Sequence, residues 1–330
     1  MTLNGGGRTL PSRVAASLQT DGVPVDITSP SRGWWGFQPI PPQPRSIVEL
    51  IRARTLDAEL AGLLWLLIEA RQPIVVAAER GQTGKTTLLH ALLDFLPPGT
   101  RRVELAGIAE TFEWLPHARE LGWHGPMARQ AASGEGCDPS TTYLLAAELS
   151  DHLPAYTWGD AARVAIRAVS IGYGLGATIH ADSLEEVFNE LHRPPVALTD
   201  DELSRLGLVL VLRAIPPPPG DAYPGPLRRL VAAHWVRPVA RDQHGHVQRL
   251  GPAVLATWDP DEDAFEHFAW GVIPELADRI GRKPGDFEIE HQRRRDYLAG
   301  LAAAGVIGVD EVRTAIDGYR AATAVPAFAN

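Results

Sequence analysis

The residues with the most chemistry in them are Gly84-Lys85-Thr86-Thr87. An apolar run, Ile74 to Ala78, precedes them, and Leu88, Leu89, Leu92 and Leu93 follow at helical spacing. A strand, a glycine-bearing turn and a helix opening on Gly-Lys-Thr are the setting a phosphate-binding loop requires. Free N–H groups at a helix start point at a phosphate, and the helix dipole favours its charge. In this setting Lys85 reaches the β- and γ-phosphates of ATP, and the Thr86 hydroxyl ligates Mg²⁺. The expected nucleotide-binding stretch is Gly81, Gln82, Thr83, Gly84, Lys85, Thr86 and Thr87. The full pattern opens on a glycine where this chain has Glu79, so Gly81 is left to make part of the turn.

A nucleotide hydrolase also needs a carboxylate to hold metal or orient water, and positive charge at the terminal phosphate. Glu148 closes the apolar run YLLAAE, where such an acid belongs; the alternative is a surface Glu at a strand end. His180 closes GATIH and could face the same crevice at the carboxyl edge of a sheet, or simply make a structural hydrogen bond. The single cysteine, Cys137, excludes an intrachain disulfide and a cysteine-based zinc site. No nucleophile–His–acid signature is present. Asp259, Asp261, Glu262 and Asp263 read as a hairpin tip; they lack the Gly and the downstream Glu of a calcium loop. Arg293-Arg294-Arg295 reads as a solvated helix face, and His244 and His246 as turn residues.

The elements that must hold these groups alternate. Residues 46–71 carry apolar positions at helical spacing, as two helices broken near Arg54-Thr55 with Thr55 as N-cap of the second. After the Lys85 helix, Arg102 to Leu105 and Thr142 to Leu149 read as strands, Ala161 to Ile171 as a helix, Gly176 to His180 as a strand and Ser183 to Leu191 as a helix. Residues 106–137 are loop-like and hold Glu110 and Glu113. Alternating strands and helices predict an α/β parallel sheet. Leu206 to Leu212, Leu230 to Val236, Val247 to Thr257 and Ala264 to Phe268 then predict an antiparallel extension, its first two strands joined by a proline run. Ile273 to Ile280, Phe287 to Ala304 and Val309 to Tyr319 close the chain as helices.

Composition sets the bounds. The 330 residues are 45% hydrophobic and 22% charged, enough for a sizeable core. A net charge of −9 argues against free nucleic acid as a bulk partner. The first residues, MTLNGGGRTLPSR, hold no apolar signal segment, and the longest apolar run, Leu60 to Ile68, is too short to span a bilayer. The reading is therefore cytoplasmic, with any membrane reached through a partner. Residues 1–44, rich in Gly, Ser and Pro, read as an arm whose Trp34-Trp35 pack on the body.

Four stretches together resemble the motor ATPases of type II and type IV secretion, type IV pili and archaella, in their archaeal-type branch. They are LLWLLIEARQPIVVAAE with GKTTLLHALLDFLPP; ETFEWLPH, similar to the acidic Asp box; LLAAELSD, similar to the Walker B segment; and SIGYGLGATIHADS, similar to the His box. The closing RRRDYLAGLAAAGVIGVDEVRTAIDGY resembles the branch's C-terminal helices, and the match runs over about residues 46–323. The resemblance implies a RecA-like P-loop NTPase core over 45–270, a reduced N-domain in 1–44 and a helical segment over 271–330. It implies Glu148 as the Walker B acid and Mg²⁺ neighbour, His180 as the γ-phosphate sensor, and Glu110 and Glu113 as Asp-box catalytic acids. The chain departs from the pattern at Glu79, Ala109, Ser150 and Tyr173, each removing charge stabilisation or loop freedom.

The function implied is that of an ATP-binding, slowly ATP-hydrolysing motor subunit. It would work as a hexameric ring with a membrane platform protein, at most peripheral to the inner face of the cell membrane. With Ser150 in place of an arginine, the cationic group would come from a neighbouring subunit or from the arm, Arg32 and Arg45 being candidates. Two alternatives stand beside this: a non-hydrolysing paralogue partnering an intact motor, and a RecA-like nucleic-acid motor.

Overall fold

The computed structural model describes residues 44–79, 83–125, 137–216, 225–241, 244 and 247–323. The arm with Trp34-Trp35 and Arg32, the loop residues Gly81 and Gln82, the proline run of 217–224 and His246 lie outside the described residues.

The chain opens with α1 (Ile47–Arg52) and α2 (Ala58–Glu69). Ser46 caps the first by accepting the Glu49 N–H, and Asp57 caps the second by accepting the Leu60 N–H. The cap of α2 is thus not the expected Thr55. Arg54 turns the chain with a φ of 55°, and the buried Thr55 gives its carbonyl to the Leu230 N–H.

The α/β run follows as β1 (Ile74–Ala77), α3 (Lys85–Leu93), β2 (Arg101–Glu104), β3 (Thr142–Leu149), α4 (Asp160–Ala168), β4 (Gly174–Ile179), α5 (Leu184–His192), α6 (Asp200–Leu203) and β5 (Leu208–Ile215). The short α6 has no counterpart among the sequence expectations; Thr199 and Glu202 make a reciprocal capping box at its start. Then come β6 (Leu227–Trp235), β7 (Ala240–Arg241), β8 (Val247–Gln248), β9 (Ala253–Asp259) and β10 (Ala264–His267), followed by α7 (Ile273–Arg279), α8 (Pro284–Ala304) and α9 (Val309–Thr323). The single strand expected over 247–257 is therefore two. Gly251-Pro252 separates them, since proline has no N–H for a ladder, and β8 pairs only with β7.

One mixed sheet of eight strands runs β10-β9-β6-β5-β1-β4-β3-β2. Strands β2, β3, β4, β1 and β5 are parallel, and β6, β9 and β10 extend the β5 edge antiparallel. Strand β1 is buried on both faces, as a central parallel strand must be. Its Ile74 and Val76 join a core with α1, α2, α3 and the C-terminal helices, whereas Val75 and Ala77 join a second core with α4 and α5. This two-sided packing fixes where the chain leaves β1, and so where Lys85 begins α3.

The C-terminal helices are held by a charged clamp on Trp65. The fully buried indole stacks on Phe95 at 5.2 Å, and the Arg294 guanidinium lies 4.7 Å over its ring. Arg294 also bonds Glu290 and Glu69, and Arg320 bonds the same Glu69. The expectation of a solvated arginine face fails at this residue. Arg294 shares the buried stripe of Phe287, Glu290 and Leu298, while Arg293 points to solvent. Packing is close enough here that a Cβ on Gly62 would meet the Arg295 backbone nitrogen at 2.8 Å.

The acidic group after β9 is a hairpin tip, as expected. Asp263 adopts a φ of 46° and gives its carboxylate to Arg229, Arg54 and the Trp258 indole. Among the described residues no cluster of acids, histidines and cysteines suited to a metal ion occurs, and no helix is long and apolar enough to cross a membrane.

Candidate functional site

Strands β1, β3 and β4 are neighbours in the sheet, and their carboxyl ends bring three side chains together. Gly84, with a φ of 100°, turns the chain out of the loop after β1 and stands at the N-cap of α3. Glycine carries no capping side chain, so the first-turn N–H groups are left for another acceptor. Lys85 follows, its side chain buried, with Thr86 and Thr87 half-buried in the same turn.

Lys85 Nζ lies 3.4 Å from Glu148 Oε1 and 3.3 Å from His180 Nδ1. A lysine ammonium can only donate, so toward charged Lys85 it is His180 Nδ1 that accepts, with Nε2 on the far side of the ring. That nitrogen lies 3.5 Å from Glu148 Oε1, beyond a good hydrogen bond. Burial lowers the pKa of Lys85, and the charge of Glu148 partly offsets it.

Glu148 is aimed by its strand. The β3–β4 register shifts between Ala146 and Leu149, so that Ala147 and Glu148 stand against the single residue Thr178. The Thr178 hydroxyl, on β4, sits 2.7 Å from Glu148 Oε2 and 2.6 Å from the Ala147 carbonyl. Glu148 Oε1 is buried with ionic neighbours but no hydrogen bond. The single Thr178 proton serves Glu148 Oε2 and the Ala147 carbonyl in turn, and Oε1 faces Lys85 and His180.

The other expected site residues make contacts of their own. Glu110 is buried, and its carboxylate accepts from the N–H groups of Ala106, Thr111 and Phe112 and from the Trp114 indole. It therefore organises its own loop. Glu113 is exposed on that loop. Thr83 is buried, and Arg45 pairs with Glu49 at 3.3 Å on the surface of α1. Tyr173 is buried and donates to the Cys137 carbonyl.

Sequence reasoning missed three neighbours of the cluster. Thr178 was hidden inside an apolar strand. His152, after β3, sets its ring edge-on to His180 at 5.6 Å. Arg228, at the start of β6, donates from Nε to the Thr83 carbonyl at 3.1 Å and lies against Gly84. The pair Arg228-Arg229 opening an otherwise apolar strand was the available signal.

These features define a mixed α/β protein with a lysine, a glutamate and a histidine converging at the carboxyl edge of its sheet. The chain is 32% identical over 266 residues to the uncharacterized protein MJ1287 of Methanocaldococcus jannaschii, covering 77% of this chain and 90% of that one, and it belongs to that protein's family. It is 26% identical over 282 residues to the uncharacterized protein MJ0900 of the same organism, matching 83% of this chain but spanning only 48% of that longer protein. No family model matches. Two solved structures overlap it in part. The VirB11 ATPase of the Brucella suis type IV secretion system has a TM-score of 0.32 and 21% identity, over 50% of this chain and 49% of that one. The Legionella pneumophila ATPase DotB has a TM-score of 0.30 and 10% identity, over 76% and 63%. Overlap this slight defines no shared fold.

Proposed function

We propose that the chain binds ATP with Mg²⁺ and hydrolyses it slowly. The observation that carries this reading is the convergence of Lys85, Glu148 and His180 beside an uncapped helix start. The residues fit the ligand. A phosphate would take over from Glu148 as the counter-ion of Lys85, and the first-turn N–H groups of α3 would donate to its oxygens. Thr86 and Glu148 would hold Mg²⁺, whose charge offsets that of the phosphates. Glu148 Oε1, still without a hydrogen bond, would orient a water and take its proton. That water attacks the terminal phosphorus, the bond to the bridging oxygen breaks, and ADP and phosphate leave. His180, on the other side of Lys85, would sense the terminal phosphate.

The order of the four motifs supports a RecA-like core and a motor role in a secretion or type IV pilus-like assembly, as a ring on a membrane platform protein. Light scattering of the protein with and without Mg-ATP tests the ring: nucleotide-dependent oligomers are expected, and a strict monomer with full turnover contradicts it. A second reading, a non-hydrolysing partner of an intact motor, draws on Ser150. Its hydroxyl is buried without a hydrogen-bond partner where the resemblance calls for arginine. Phosphate release by the purified protein separates the two.

A further inference from the structure

We infer that Arg228 is a positioning residue that presets the phosphate-binding loop; this rests on the reading of residues 83–87 as that loop. A trans peptide unit is planar, with its C=O and N–H pointing in opposite directions. Arg228 Nε holds the Thr83 carbonyl at 3.1 Å. Fixing that oxygen on the β6 side aims the N–H of the same peptide, that of Gly84, the opposite way. The contact is close on both sides. A Cβ at Gly84 would sit tight against Arg228, 3.0 Å from Cδ and 3.2 Å from Nε, and the positive φ there favours glycine.

The arginine is itself held from behind. Its neighbour Arg229 is buried, bonds both carboxylate oxygens of Asp263 at 2.7 and 3.0 Å, and donates to the Ala53 carbonyl at 3.1 Å. The next residue, Leu230, donates its N–H to Thr55 at 2.7 Å. The start of β6 is therefore anchored to the α1–α2 turn and the β9–β10 turn, and Arg228 passes that rigidity to the loop. Donors aimed in advance bind without the ordering cost that a loose loop meets on binding.

The test measures affinity for ADP, a non-hydrolysable ATP analogue and pyrophosphate, with the apo unfolding temperature, in wild type, Arg228→Ala and Arg228→Lys. A loss of about tenfold for all three ligands in Arg228→Ala is expected, the scale of one hydrogen bond made by a charged group. The apo unfolding temperature should stay within a few degrees, and Arg228→Lys, which can still donate to a carbonyl, should recover most of the affinity. Unchanged affinities overturn the inference. Loss for the ATP analogue alone overturns it too, since Arg228 would then act on the terminal phosphate. A fall in apo stability that Arg228→Lys does not restore assigns a merely structural role. Wild type binding none of the ligands overturns the phosphate-loop reading itself.

Discussion

Lys85 Nζ, at the start of α3, sits 3.4 Å from Glu148 Oε1, near the end of β3, a buried lysine beside a buried glutamate. Neither charge is stable there alone, because burying an unpaired charge costs several kcal/mol. In the proposed function a phosphate takes the place of Glu148 as the counter-ion of Lys85. Lys85→Ala should lower ATP affinity at least tenfold, since a hydrogen bond to a charged group contributes about 1.5–3 kcal/mol. Titration of a fluorescent ATP analogue checks this, and unchanged binding contradicts it.

Thr178 supplies the second prediction. Its hydroxyl fixes Glu148 Oε2 at 2.7 Å. Thr178→Val keeps the shape and removes the donor. Phosphate release should fall about tenfold or more, while ATP affinity changes little, because one misaimed carboxylate spoils orientation rather than binding. Loss of affinity with unchanged turnover would assign Thr178 to the binding of nucleotide.

The clamp on Trp65 predicts stability. Glu69→Ala strips the buried Arg294 and the neighbouring Arg320 of a shared partner. Breaking one side of a buried pair costs about 3–5 kcal/mol. Urea denaturation should show a loss of that order, with α8 and α9 loosened first in hydrogen exchange. A loss under about 1 kcal/mol contradicts the clamp.

His90, on α3, predicts a pH dependence. Burial, and after it the charge of Arg102, pushes its pKa down to about 3. In the unfolded chain it titrates near 6.5. Between those values the unfolded state binds a proton that the native state refuses, so stability rises with pH. The contribution is complete above about pH 6.5 and is lost as pH falls towards 3, with a slope of up to roughly 1.4 kcal/mol per pH unit. His90→Gln should flatten the change in denaturation midpoint between pH 7 and pH 4.5 relative to wild type. Equal slopes in the two proteins contradict the assignment.

Much of this was legible in the sequence because the period of the apolar residues is local information. Ile74 to Ala77, Thr142 to Leu149 and the Lys85 helix were readable from their own patterns. Glu148 and His180 were legible as strand-end residues and Lys85 as the start of a helix, which places all three at one edge of the sheet. What stayed hidden depended on residues far apart in the chain. Arg294 looked solvated because its partners, Trp65 and Glu69, lie on α2. Arg228 was passed over because its partner, the Thr83 carbonyl, is backbone and leaves no mark in a side-chain pattern. Of the two cations the sequence offers, Arg45 pairs with Glu49, and Arg32 lies outside the described residues. Thr55 reads as a cap from its type alone, but the side chain that accepts the Leu60 N–H is that of Asp57.

The most direct test of the central claim is phosphate release at saturating Mg-ATP by wild type and Glu148→Gln, with ATP affinity measured beside it. Glu148→Gln keeps the size of the side chain and the contact with Thr178, and removes the charge that Oε1 offers to water. Wild type should hydrolyse slowly, because loss of a charge-stabilising group commonly costs on the order of 10²–10³ in rate and Ser150 stands where the proposed resemblance calls for an arginine. Glu148→Gln should abolish that activity and still bind ATP. Equal rates in the two proteins would show that Glu148 does not activate the water, and the proposed chemistry at this site would be wrong.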